Sequence, residues 1–176
     1  ASARGVIAGG YTGSAYVNTI EYVTIATTGN ATDFGDLFLK VMGAAPMAST
    51  TRGVWAGGYS GSPTSDVNTI QYITIATTGN ALDFGDLTYP ADSGNVAGNS
   101  TRGIALGGGT PTNNVKSCYI NIATTGDAAD FGTLVGDGAG NAQGAMMGSA
   151  TKGCYAGTMT ATTTISAVTI QTLGSS

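Results

Sequence analysis

The chain has 176 residues, a length that suits one domain, with 41% hydrophobic residues, 29 glycines and only 9% charged residues. Glycine runs at over twice its usual share of about 7% and charge far below the usual level of about 25%, whereas a disordered chain is more charged and poorer in β-branched residues. The net charge of −4, with six basic residues in all, leaves no basic patch to neutralise a run of phosphates, so nucleic-acid binding is not expected.

Long Val/Ile/Thr/Tyr stretches favour strands, and stretches at helical spacing are hard to find, so the expected fold class is all-β. The elements repeat. The phrases "ARGVIAGGY" (3–11), "TRGVWAGGY" (51–59), "TRGIALGGG" (101–109) and "TKGCYAGTM" (151–159) mark four starts. Their basic residues Arg4, Arg52, Arg102 and Lys152 are spaced 48, 50 and 50 residues apart. A second phrase recurs as "YVTIATTG" (22–29), "YITIATTG" (72–79), "YINIATTG" (119–126) and a degraded "AVTIQTLG" (167–174). "DFGDL" stands at 33–37 and 83–87, and "DFGTL" at 130–134. Repeat units fall approximately at 1–40, 41–89, 90–135 and 136–176 of a single repeat domain.

In chain order each unit resolves into four short strands. The second unit reads "GAAPMAS" (43–49), the turn "TTRG", "GVWAGG" (53–58), a variable loop, "NTIQYITIA" (68–76), the turn "TTGN" and a strand around "LDFGDLT" (82–88). Glycine in "TTGN" supplies a positive φ and asparagine an Asx-type bond. In "TIEYVTI", Ile20, Tyr22 and Thr24 point one way and Glu21, Val23 and Ile25 the other. Four strands in roughly 50 residues is the size of a β-propeller blade, and coils of 20–30 residues are too short to fit. The units hold about fourteen strands in groups of three, four, four and three, or about 3.5 blades.

An apolar strand ending in a double glycine (Gly9-Gly10, Gly57-Gly58, Gly107-Gly108) precedes a polar loop and then a strand carrying Tyr22, Tyr72 or Tyr119. An aromatic follows about a dozen residues on, at Phe34, Phe84 and Phe131. This order resembles the kelch motif of galactose-oxidase-type β-propellers. Phenylalanine stands where kelch motifs usually carry tryptophan, and the stretch from basic residue to double glycine is short. The Thr/Gly-rich wording is similar to degenerate kelch-like repeats in tail-fibre and other virion proteins of marine bacteriophages. The resemblance covers almost the whole chain. It implies four-stranded antiparallel blades, and a virion or extracellular setting.

Propellers close with four to eight blades. A four-bladed ring with missing edge strands, a seven-bladed ring from two chains, and a piece of a longer polypeptide all fit the count. Bare strand edges invite pairing with another chain, so an oligomer or assembly is expected. The first residue is Ala1 rather than Met, which fits a processed start or a piece of a longer chain. No signal peptide is visible, and no apolar run approaches the roughly 18 residues of a spanning helix, so membrane insertion is not expected.

The absence of histidine removes Ser-His-Asp and Cys-His catalysis, and makes the kinase-like "DFG" a chance match. "AGGYTG" and "LGGGT" lack the lysine and helix of a phosphate-cradling loop. Asp33 and Asp36 miss the spacing of calcium loops, and a turn whose Asp side chain bonds backbone N–H groups is the better reading. Cys118 and Cys154 replace Glu or Gln, and Val or Ile, at ordinary strand positions. They read as unpaired thiols rather than a disulfide or zinc ligands. The four basic residues read as turn positions pairing with an acid of the adjacent unit, such as Asp36 or Asp86, ahead of an anion-binding ring. No cofactor, metal or enzymatic activity is expected.

The turns "ATTGN", "ATTGN" and "ATTGD" are nearly constant, whereas "YTGSAYV" (11–17), "YSGSPTSDV" (59–67) and "GTPTNNV" (109–115) differ. Alternate loops emerge on opposite faces, and variable loops on a rigid scaffold are where binding lives. The candidate ligand-binding residues are therefore Tyr11, Tyr16, Tyr59, Asp66, Asn113 and Asn114, with chemistry that suits a sugar. The expected function is a non-enzymatic structural or adhesion component of a phage virion. Its partners would be other virion proteins or further copies of itself. The alternative is a lectin-like module for cell-surface glycans.

Overall fold

The computed structural model describes residues 3–61, 65–92, 95–108, 115–133, 145–156 and 165–171. Among them there are fourteen strands and no helix. The first antiparallel sheet holds β1 (Arg4–Tyr11), β2 (Tyr16–Thr24) and β3 (Thr32–Asp36). The second holds β4 (Ala45–Ala48), β5 (Arg52–Ala56), β6 (Thr69–Thr74) and β7 (Leu82–Asp86). The third holds β8 (Asn95–Gly98), β9 (Arg102–Leu106), β10 (Lys116–Asn121) and β11 (Ala129–Thr133). The fourth holds β12 (Ala145–Gly148), β13 (Lys152–Ala156) and β14 (Ile165–Thr169). Each sheet is an antiparallel meander in chain order.

The repeated phrases explain the strand geometry. In "DFG" the central phenylalanine is an extra residue in the ladder: Ile20 pairs Gly35 and Glu21 pairs Asp33, which leaves Phe34 as a β-bulge. The same slip occurs at Ile70/Gln71 and at Ser117/Cys118. The bulge tucks Phe34, Phe84 and Phe131 inward, where each is buried. Each meets the tyrosine of its own sheet edge-on, with ring centroids 5.8–6.0 Å apart.

Neighbouring sheets stack on one another, and one apolar core fills each of the three joints. Ile20, Phe34 and Leu37 meet Trp55 and Ile73 in the first. Val54, Ile70 and Phe84 meet Cys118 and Ile120 in the second, and Ile104 and Phe131 meet Val168 and Ile170 in the third. The expected division of side chains in "TIEYVTI" holds: Ile20 and Tyr22 belong to the joint with the second sheet, whereas Ile25 lies on the opposite face and is exposed. Both cysteines are unbridged, and Cys118 is fully buried.

The main chain of the constant phrase ties the sheets together. The amide of Gly79 donates to the Phe34 carbonyl at 2.7 Å, and that of Ala81 to the Asp36 carbonyl at 2.8 Å. Asn80 Oδ1 accepts the Asp36 amide at 3.0 Å. The next joint repeats this through Gly126 to Phe84, Ala128 to Asp86, and Asp127 Oδ1 from the Asp86 amide. So the turn of one unit docks on the bulge of the unit before it. A Cβ at Gly35, whose φ is +145°, would collide with the main chain of Gly79, and one at Gly85 with that of Gly126. Glycine is required there by close approach of backbone to backbone.

Two expectations are corrected. The basic residues were expected to pair with Asp36 or Asp86. Instead, Arg4 Nη1 donates to the carbonyls of Ile75 and Ala76, Arg52 to that of Ile122, and Arg102 to that of Ile170. Each guanidinium lies 4.5–4.7 Å over the tyrosine ring of its own sheet. A strand end in the next sheet leaves carbonyls unpaired, and the fork reaches them directly. The fourth unit lacks both halves of this device, with Lys152 and Ala167 in the two positions. Second, the side-chain cap expected of Asp33 and Asp36 comes instead from Asn80 and Asp127 of the following turn. Only in the third unit does the bulge aspartate cap locally, with Asp130 Oδ1 accepting the Gly132 amide at 3.3 Å.

Candidate functional site

With the constant turns used in joining sheets, the opposite loops remain. The loop between β1 and β2 is tight because Thr12 closes it twice. Its amide donates to the Ala15 carbonyl at 3.0 Å, and its Oγ1 accepts the Ala15 amide at 3.1 Å. Thr12 Oγ1 also lies 3.3 Å from Ser14 Oγ. This turn sets Tyr11 and Tyr16 opposite each other in the ladder, with rings 4.9 Å apart and inclined by 42°.

Tyr59 comes from the second unit. Its amide donates to the Met42 carbonyl at 2.9 Å, and its carbonyl accepts the Met42 amide at 3.1 Å. On its other side it bridges Asp66. Held from both sides, the Tyr59 ring stands 5.7 Å from that of Tyr16, inclined by 49°. Three of the expected residues thus form one aromatic row across two units. Tyr16 is at its centre and Tyr11, about half exposed, at its rim. The Tyr16 ring also rests on Gly61, where any Cβ would displace it. Gly61 was not among the expected site residues, and its contact with an aromatic 45 residues away leaves no local signal.

Burial, followed by the neighbouring phenols Tyr59 and Tyr11, pushes the Tyr16 hydroxyl above its ordinary value. Tyr16 therefore stays neutral over the physiological range. The row offers ring faces and hydroxyls, with the hydroxyls of Thr12 and Ser14 alongside. Asp66 is half-buried and is positioned by its bridge to Tyr59. Asn113 and Asn114 lie outside the described residues. Among the described residues, no group of three or more Cys, Asp or Glu side chains is placed to hold a metal ion. No protein-family model matches this chain, and no curated protein matches it in sequence.

Proposed function

We propose that the chain forms the blades of a kelch-like β-propeller with a structural and adhesive role, as a non-enzymatic fibre or surface component of a phage virion. The carrying observation is that the repeated phrase is consumed in construction. Its turns, bulges and arginines all bind main chain of a neighbouring unit. A catalytic set would need one distinctive cluster, whereas these groups recur in joint after joint. Sheets of the same order, stacked face to face in chain order, are the arrangement a propeller needs. The virion setting draws on the repeat wording alone. Partners would be other virion proteins or further copies of this chain. An image of the native assembly at strand resolution tests the reading: blades arranged radially about an axis are expected. A stack that runs on without curving into a ring contradicts it.

The row Tyr11–Tyr16–Tyr59 favours a second reading, a lectin-like module for cell-surface glycans. Tilted ring faces beside neutral hydroxyls suit a sugar, which stacks its apolar face and bonds through its edge. Tyr11→Ala and Tyr59→Ala should each weaken glycan binding by about tenfold while costing about 1 kcal/mol of stability, the worth of one ring contact. A glycan array without hits, together with unchanged adsorption of both variants, would remove this reading.

A further inference from the structure

The first sheet is one strand narrower than its neighbour. In the second, third and fourth sheets, β4, β8 and β12 pair along one edge of β5, β9 and β13. The matching edge of β1, away from β2, has no strand beside it among the described residues. Two apolar clefts, of about 210 and 270 Å³, lie along that edge. Pro46 and Trp55 of the second sheet line both, Val6 flanks both, and Gly53 lies at the base of the smaller one.

Gly53 points to the same missing strand. A Cβ built there meets nothing nearer than 3.4 Å, and its φ is not in the left-handed range, so nothing described requires glycine. At the equivalent positions of the next two sheets glycine is required. Met47 of β4 fills the space above Gly103, and Ala97 of β8 fills the space above Gly153. In both cases the third residue of a sheet's first strand seats on the glycine of the following sheet. Gly53 is the receiving half of the same contact, and the giving half belongs to a strand beside β1.

We infer that the free edge of β1 is a strand-addition site. It takes an extended peptide segment that pairs antiparallel with Gly5–Ala8 and seats its third side chain over Gly53. The register follows from β4, whose Ala45, Pro46, Met47 and Ala48 pair Ala56, Trp55, Val54 and Gly53. The three strands at the equivalent edge, β4, β8 and β12, define the chemistry of the occupant: "APMA", "NVAG" and "AMMG". The first residue is Ala or Asn, the third Ala or Met, and the fourth Ala or Gly. Proline is tolerated second, as expected of an edge strand that leaves one side unpaired. A lysine at the third position would enter a mostly apolar cleft whose one charged lining residue, Arg4, carries the same sign. This site rests on sheet geometry alone and is independent of the adhesive reading.

The test titrates a peptide of sequence GAAPMASTT, that of residues 43–51, into the 176-residue chain. Emission of Trp55, the single tryptophan, is the readout because its ring lines the cleft. Saturable binding with a blue shift is expected. Lysine in place of the peptide methionine should weaken binding about tenfold or more. Gly53→Leu, which fills the cleft from the chain's own side, should abolish binding with unchanged circular dichroism. If that variant does not fold, the peptide substitution still decides. Self-association of the chain that the peptide dissolves also supports the site, and self-association that it leaves intact counts against it. Absence of binding at millimolar peptide, or binding that neither substitution weakens, overturns the inference.

Discussion

The first and second sheets carry almost the same words in different surroundings. Residues 18–37 and 68–87 differ at only three positions, Glu21/Gln71, Val23/Ile73 and Thr32/Leu82. Yet Ile25 is 68% exposed and its counterpart Ile75 only 7%. Across the same face, Ile7 is 61% exposed and Trp55 only 7%. The wording specifies a sheet, and whatever stacks on that sheet decides what is buried. The first difference follows from this. Glu21 is exposed, whereas Gln71 is fully buried. Gln71 Oε1 accepts the Leu39 amide at 2.9 Å, and its Nε2 donates to the Leu39 carbonyl at 3.2 Å. A carboxylate could accept the first bond but would face the second oxygen with a like partial charge. Nothing in the structure explains Thr32 against Leu82, both of which are exposed.

The contrast can be broken at the joint. Gly35→Ala pushes a Cβ into the main chain of Gly79, and backbone cannot step aside as a long side chain can. It should cost roughly 3–5 kcal/mol in denaturant unfolding. Gln71→Glu should cost about 3 kcal/mol at neutral pH, with Glu21→Gln within about 0.5 kcal/mol of the parent. The sign with pH is fixed by burial, which raises the carboxyl's folded-state value. The loss is therefore greatest at neutral pH and shrinks as the pH falls into the ordinary carboxylate range, where the protonated acid can bond Leu39 as glutamine does. A pH-independent loss would mean that water reaches the side chain at position 71.

A smaller effect separates the two crossovers. Leu39 uses its main chain to hold Gln71, whereas its counterpart Tyr89 uses its hydroxyl, donating to the carbonyls of Lys116 at 2.8 Å and Gly107 at 3.3 Å. Tyr89→Phe should cost about 1 kcal/mol. Burial, and then the Cys118 thiol beside it, pushes the Tyr89 hydroxyl far up. A raised folded-state value gives stability that is complete below about pH 10 and is lost as the pH rises beyond it. Unfolding curves between about pH 9 and 11 should therefore fall less steeply for Tyr89→Phe than for the parent.

Strand order and turn positions were legible because repetition exposes them: a phrase found three times can be aligned with itself, and its period of two sets the faces. The aromatic row was legible in part, since Tyr11, Tyr16 and Tyr59 stand in the loops where the copies disagree. The partners of the arginines were not. A carboxylate announces itself in sequence, but the carbonyls of Ile75 and Ile122 have no letter of their own. The same reason hid the docking of "TTGN" on "DFG". Both ends of that contact are main chain, and only Asn80 or Asp127 and the bulge glycine mark it. The phrase that looked most like a site is the joint itself.

Amide hydrogen exchange at three equivalent glycines tests this most directly. Gly79 and Gly126 donate to Phe34 and Phe84 across the joints, whereas Gly29, in the same turn of the first unit, has no such acceptor among the described residues. Strong protection of Gly79 and Gly126 is expected, with Gly29 exchanging near the rate of a free peptide. Equal exchange at all three glycines would contradict the claim that the constant turn is what locks one sheet to the next.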